Sequence, residues 1–314
     1  MYFVFLRAVL VRAIGVDIGG TKISAALVDR SGNMDGQLTV PTDPVGVIDQ
    51  VVELVNKLSD GESVCAVGVA VASFLNYSRD FVYNSPNLGL ENIPIRNLLQ
   101  NRIKFPVFIE NDANAAAWAE WRFAPRSVEI VNSQDLFMIT VGTGVGGAAI
   151  LDGKILKGGF GIASEPGHIV LVPDGIPCGC GKRGCSEQYA SGTALLRYVK
   201  SNMPDFPFGR NPSDVIGELV AKSDPVVLSA VSQVADNVGR TAAAVTAILD
   251  PELFVIGGGV SKIGTFFIDS IRESYKEYLP HSESRPCANF RLAHFYNTAG
   301  IIGAADLARS SLAT

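Results

Sequence analysis

Three cysteines and a histidine fall close together in the stretch H-I-V-L-V-P-D-G-I-P-C-G-C-G-K-R-G-C: His168, Cys178, Cys180 and Cys185. Three thiolates and one imidazole form the donor set of a closed structural zinc site. Sulfur-rich ligation also selects zinc over Mg²⁺ or Ca²⁺. The bland alternatives are a disulfide or inert buried thiols. Cys178 and Cys180 are too close along the chain to bridge comfortably, and a disulfide elsewhere in the set would strand a thiol.

Two glycine turns carry a second kind of chemistry. Asp17-Ile18-Gly19-Gly20-Thr21-Lys22 joins two apolar runs, and Val141-Gly142-Thr143-Gly144-Val145 joins two more. Backbone N–H groups that are not screened by side chains can point at phosphate oxygens. Asp17 stands where a carboxylate can hold Mg²⁺, directly or through water. No helix follows the first glycines, so the turn is neither a Walker A loop nor a Rossmann turn. Either turn alone reads as a tight hairpin. The pair, with Gly257, Gly258 and Gly259 at the end of a third apolar run, points to a nucleotide.

The third element is Glu110-Asn111-Asp112-Ala113-Asn114. Phosphoryl transfer to an alcohol needs a base within hydrogen-bond reach of the attacking hydroxyl. Asp112 stands where a strand is expected to give way to a helix, a place where ligands collect in α/β folds. Without the glycine turns the plain reading would be a helix N-cap.

These residues require positioning elements. Residues 12–30 and 136–151 each read as strand, glycine turn, strand, a weak internal repeat that favours two related halves over two ordinary hairpins. Val47, Val51, Leu54, Val55 and Leu58 share one helical face. Residues 64–72 form a buried strand of small residues, and an Asn/Ser/Pro-rich loop is expected after it. Residues 94–102 predict a helix, 106–110 a strand, and the alanine-rich run from Asn111 another helix. Residues 157–187 lack regular periodicity and look ligand-organised. Helical patterns cover 191–202, 212–222, 225–248 and the small-residue tail, and 253–260 is a strand.

Composition sets the limits. A chain of 314 residues with 47% hydrophobic content is enough for two cores. The net charge of -5, with no basic run, argues against nucleic acid or an anionic membrane as a main partner. Five cysteines, three of them crowded, do not make a secreted disulfide framework and suit a reducing cytoplasm. Cys65 and Cys287 read as plain core or surface residues. The apolar start before Arg12 is too short to span a bilayer and is interrupted by Arg7. An edge strand or a non-native upstream start is expected there.

The motifs D-I-G-G-T-K, E-N-D-A-N-A-A, V-G-T-G-V-G-G, S-E-P-G-H, C-G-C-G-K-R-G-C-S-E and V-I-G-G-G together resemble the ROK family of bacterial sugar kinases and repressors. The likeness runs in family order from Arg12 to the tail and is strongest to the family's ATP-dependent glucokinases. It implies an α/β, actin/hexokinase-like (ribonuclease H-like) fold of two lobes with an interlobe cleft. The small lobe would span 1–115, completed by 298–314, and the large lobe 116–297. It implies transfer of the ATP γ-phosphoryl to the 6-hydroxyl of glucose, with Mg²⁺ on the nucleotide. Asp17, Gly19, Gly20, Thr21, Lys22, Thr143, Gly144, Gly257, Gly258 and Gly259 would serve the nucleotide, and Asp112 would be the base. Asn87, Asn111, Glu165, His168 and Glu187 match sugar-binding positions, so His168 would turn one ring nitrogen to zinc and the other to sugar. The resemblance leaves other substrates open: N-acetylmannosamine, N-acetylglucosamine, mannose or fructose, and polyphosphate as donor. A sugar-sensing regulator is the rival of a different class, although the stretch before Arg12 is too short for the helix-turn-helix of the family's repressors. Relatives often carry Gly where Ser73 stands. A cytoplasmic homodimer or homotetramer is expected.

Overall fold

The computed structural model describes residues 12–85, 87–125, 133–207 and 211–312. The expected edge strand before Arg12 lies outside the described residues. The chain divides into two units: residues 1–125 with 155–163 and 297–314, and residues 126–154 with 164–296. The expected boundary at 115/116 lies inside the helix Asp112–Phe123, and the short return of the chain at 155–163 carries no sequence signal of its own.

In the first unit, β1 (Arg12–Ile18), β2 (Lys22–Val28) and β3 (Met34–Pro41) form an antiparallel meander. Helix α1 (Val47–Ser59) then leads to β4 (Val64–Val71), parallel to β1. Three short strands follow, β5 (Phe74–Leu75), β6 (Val82–Ser85) and β7 (Leu90–Ile93), forming a small sheet of their own. They lie where the sequence suggests only an Asn/Ser/Pro-rich loop. They are too short and too polar on one side to show a period of two. Helix α2 (Ile95–Gln100), β8 (Val107–Asn111) and α3 (Asp112–Phe123) complete the run. The main sheet has the order β3-β2-β1-β4-β8.

Valine and isoleucine dominate β1, β4 and β8 because parallel strands are covered on both faces. On one face, α1 buries Val47, Val51, Leu54, Val55 and Leu58 in a core with Ile14, Val16, Val67, Val69 and Ile109. On the other lies the C-terminal helix, Ala299–Ser311, which touches the sheet almost backbone to backbone. A Cβ at Gly15 would lie 1.9 Å from Ile301 O, and one at Gly68 would lie 1.9 Å from Ala304 O. A Cβ at Gly303 would lie 1.7 Å from Ala115 O in α3.

In the second unit, β9 (Leu136–Val141) and β10 (Val145–Leu151) form the second hairpin, with β11 (Lys154–Ile155) at the edge. Residues 164–186 have almost no regular structure, as their composition suggests. They contain one turn of 3₁₀ helix at Pro166–His168 and isolated bridges between Val170 and Cys185 and between Pro177 and Arg183. Helices α4 (Glu187–Ala190), α5 (Gly192–Asn202), α6 (Pro212–Ala221) and α7 (Pro225–Leu249) follow. Then come β12 (Leu253–Gly257), α8 (Thr265–Tyr278) and β13 (Asn289–Leu292). This sheet has the order β11-β10-β9-β12-β13, with β9, β12 and β13 parallel. It repeats the plan of the first sheet, so the two glycine hairpins occupy equivalent places in two similar units.

The close approach of the C-terminal helix gives a test in which two effects oppose each other. Gly303→Ala should gain about 1 kcal/mol of helix propensity. It must also force a methyl into the Ala115 carbonyl, and overpacking of that kind costs roughly 1–3 kcal/mol or more. At Gly217, inside α6, an added methyl would meet nothing within 4 Å. Thermal unfolding should therefore show a lowered midpoint for Gly303→Ala and an unchanged or raised one for Gly217→Ala. A raised midpoint for Gly303→Ala would contradict the packing described.

Candidate active site and metal centre

In the first unit the candidate residues sit at the C-terminal ends of parallel strands. Register places Asp17 of β1 beside Ala70 of β4, and Ala70 beside Glu110 of β8. One step further, Ile18, Val71 and Asn111 align in the same way, and Asp112 follows. Asp17 and Asp112 thus emerge from strands two positions apart in one sheet, about 10 Å by strand spacing.

Helix α3 begins on a cap made from the motif itself. Asn111 is extended and its Oδ1 accepts the backbone N–H of Asn114 at 3.1 Å. Its Nδ2 donates to the Ser73 carbonyl at 3.3 Å. The capping role therefore belongs to Asn111, which leaves Asp112 at the first helical position with its carboxylate available for other work.

Burial raises the Asp112 carboxyl above the ordinary carboxylate range, partly offset by the backbone N–H groups of Ala113 and Asp112. Asp17 is pushed up to about 7, first by burial and then by the Asp112 charge, against the opposing pull of Lys22. The Asp17 carboxylate rests on Gly300 in the first turn of the C-terminal helix, where a Cβ would lie 2.8 Å from it.

The first glycine turn is held by Gly19 N–H donating to Lys22 O at 3.0 Å and by Thr42 Oγ1 donating to Gly19 O at 2.7 Å. Thr21 and Lys22 are exposed. Asn87 is exposed too, and it packs against this turn: a Cβ at Gly20 would lie 3.1 Å from the Asn87 Cβ.

In the second unit, the turn between β9 and β10 is fastened to the start of α5. Gly192 N–H donates to Gly142 O at 2.7 Å, and Thr193 Oγ1 donates to Thr143 O at 2.7 Å. Thr143 is exposed. Gly258, at φ +84°, lies over the end of β9, where a Cβ would meet Val141 O at 2.4 Å. The run Gly257–Gly259 thus lies beside the second turn.

His168, Cys178, Cys180 and Cys185 converge. Their ligand atoms all lie within 4.8 Å of one another. His168 Nδ1 is 3.9 Å from Cys178 Sγ, and Cys180 Sγ is 3.6 Å from Cys185 Sγ. A tetrahedral ion with Zn–S bonds of about 2.3 Å needs edges of roughly 3.8 Å, so the set fits. The chemistry of the set agrees with its geometry. Burial and the neighbouring thiols push the Cys185 thiol up to about 12, so its thiolate needs a cation, whereas the backbone N–H of Lys182 helps lower the exposed Cys180 thiol. The three cysteines of the cluster, like Cys65 and Cys287, form no disulfide.

Since Nδ1 faces the thiols, Nε2 of His168 is the ring nitrogen left to point elsewhere. Glu187 is tied to both features of the unit. Its Oε2 accepts the Val145 N–H at 3.2 Å, and its Oε1 lies 3.8 Å from Cys178 Sγ. Glu165 precedes the 3₁₀ turn and its carbonyl accepts the His168 N–H at 3.1 Å.

Two residues near Asp112 are not singled out by sequence. Glu110 lies within the motif but reads as part of a strand. Arg79 sits in a polar turn with no motif around it, yet it reaches Glu110 in the interior.

Residues 13–311 match the model of the ROK family. The glucokinase of Streptomyces coelicolor is 39% identical over 311 residues, spanning 94% of this chain and 97% of that protein. An N-acetylmannosamine kinase of Citrobacter koseri is 32% identical over 94% of this chain and 98% of its own. Among solved structures, the ROK family glucokinase of Streptomyces griseus, in complex with glucose and AMPPNP, superimposes with a TM-score of 0.85 at 39% identity. It covers 95% of this chain and 99% of that one. The two α/β units accordingly have the actin/hexokinase-like fold of these kinases. With its motifs in place and nearly its whole length matched, the chain belongs to the ROK family.

Proposed function

We propose that this protein is an ATP-dependent glucokinase, transferring the γ-phosphoryl of ATP to the 6-hydroxyl of glucose. The observation that carries this reading is Asp112 at the start of α3: a half-buried carboxylate with a raised pKa, relieved of the capping role by Asn111. The near full-length likeness to glucokinases supports it.

Asp112 accepts the proton of the 6-hydroxyl as the oxygen attacks, and Asn111 and Asn87 hydrogen-bond the sugar. By the likeness to the family, Glu165, His168 through Nε2, and Glu187 are further proposed sugar-binding positions. Backbone N–H groups of the two glycine turns orient the phosphates and stabilise the charge that develops on them. Asp17 would hold Mg²⁺, which when bound neutralises phosphate charge. Zinc on His168, Cys178, Cys180 and Cys185 would order the loop that carries Glu165 and Glu187, with no part in proton transfer. No helix among the described residues is long and apolar enough to cross a membrane. Unbridged cysteines suit a cytoplasmic protein. A homodimer or homotetramer is its proposed assembly.

A second reading is an N-acetylmannosamine kinase, favoured by the relatives of that name. Ser73 argues for glucose. It is buried, its Oγ has no partner among the described residues, and its carbonyl holds Asn111. A hydroxymethyl group there crowds a bulky 2-substituent, and sites built to pair a hydroxyl reject analogues that leave polar groups unpaired. Under identical Mg-ATP conditions kcat/KM should be higher for glucose than for N-acetylmannosamine. An equal or better acetylated substrate would overturn the glucose assignment while sparing the kinase.

Asp112→Asn should bind glucose normally and lose turnover by roughly 10²–10⁴-fold. The base must be ionised to act, so wild-type kcat/KM should fall as pH drops, with a midpoint above the ordinary aspartate value of about 3.9. That acid limb should be absent in Asp112→Asn, and its survival there would assign it to another group. Metal analysis of the purified protein should find about one zinc per chain. Cys185→Ser should lower zinc content and thermal stability together, and active protein free of zinc would refute the metal assignment.

A further inference from the structure

Arg79 and Glu110 are charged, yet their side chains are only 6% and 9% exposed, with Nε 2.6 Å from Oε1. Withdrawing two charges from water is unfavourable unless the remaining donors and acceptors are satisfied, and an apolar pair of similar volume often holds a fold equally well. The arrangement around this pair therefore bears on more than stability.

Glu110 Oε1 also accepts the backbone N–H of Asn111 at 3.0 Å and Nδ2 of Asn114 at 3.0 Å. One carboxylate oxygen thus grips residues on both sides of Asp112. From the other end, Arg79 Nη1 donates to the carbonyls of Asn76 at 3.1 Å and Gly161 at 2.6 Å. Arg79 is left-handed, at φ +57°, a strained backbone for a residue with a side chain. Asp112 is the first residue of α3, and the backbone N–H groups of Ala113 and of Asp112 itself partly offset the effect of burial on its carboxylate. Its direction therefore follows the first turn of α3, and that turn is what Glu110 grips.

We propose that the buried Arg79–Glu110 ion pair is a positioning device for Asp112, fixing the first turn of α3 and anchoring it through Arg79 to Asn76 and Gly161. Neither residue touches the reacting atoms. The pair acts on turnover by holding the carboxylate in line with the hydroxyl, where a misplacement of about 1 Å can cost on the order of 100-fold. The inference rests on the reading of Asp112 as the base.

The test is a mutant cycle through Asp112. Arg79→Met with Glu110→Gln removes both charges together and keeps an oxygen to accept from Asn111 and Asn114. In the wild-type background it should lower kcat roughly 10-fold or more, with glucose affinity by calorimetry within about 3-fold of wild type. In the Asp112→Asn background the same two substitutions should change the residual kcat by less than about 2-fold, because no base remains to be misaligned. An equal loss in both backgrounds, or no loss in the first, overturns the proposal. Arg79→Lys keeps the charge but not the two-pronged reach, and it gives the same comparison if the double substitution fails to fold. Near-normal turnover of Asp112→Asn alone would instead remove the base assignment on which the inference stands.

Discussion

The first unit depends on a helix lying almost in contact with the backbone of a sheet. Ordinary side chains hold the axes of packed helices roughly 8–10 Å apart, and larger residues push them further. Here Gly15, Gly68 and Gly303 remove the side chains at the points of contact, and carbonyl groups of Ile301, Ala304 and Ala115 fill the space. The same helix presents Gly300 to the carboxylate of Asp17 and lies along α3, whose first residue is Asp112. One packing contact thus sets the height of two strand ends and two carboxylates. A further cross-tie fixes the helix along its length: buried Asp306 accepts from Trp118 Nε1 of α3 at 2.9 Å and pairs with Arg309 at 2.7 Å.

Close packing of this kind excludes water, and the electrostatics follow from that. Burial raises both Asp17 and Asp112, and the Asp112 charge raises Asp17 further. A polyanionic nucleotide carrying a divalent cation would reverse that local balance. The second unit meets the same difficulty with thiols instead of carboxylates. There Cys185 favours protonation because it is buried among other thiols, and a cation at the cluster would relieve it.

Much of the site can be read directly from the sequence, for reasons that are themselves physical. Turns that bring backbone to phosphate require glycine, and a tetrahedral sulfur site requires its donors, so Gly19, Gly144, Gly258 and the Cys₃His set announce themselves by residue type. The hairpins and the amphipathic α1 are equally plain because their periodicity survives in a short window. Three things do not show. Strands β5–β7 have too few residues to display a period. Residues 155–163 belong to the first unit through contacts far away in the chain. Arg79 gains its meaning from Glu110 and from Gly161, which lies 82 residues further along. Long-range polar pairing leaves no local pattern, so a buried arginine in a polar turn looks like any exposed one.

The route of the chain has a consequence for how the molecule is made. The strands of the first unit precede the second unit along the chain, but the helix that covers one face of their sheet follows it. While the second unit is emerging, the glycine-lined face of β1 and β4 has nothing to rest against. A nascent chain therefore carries an uncovered sheet face until the second unit has been made, and that unit, contiguous but for one excursion, can close before the first. The unit whose strands are made first can then be completed only after the second has been made, and the helix Ala299–Ser311 is the latch that completes it.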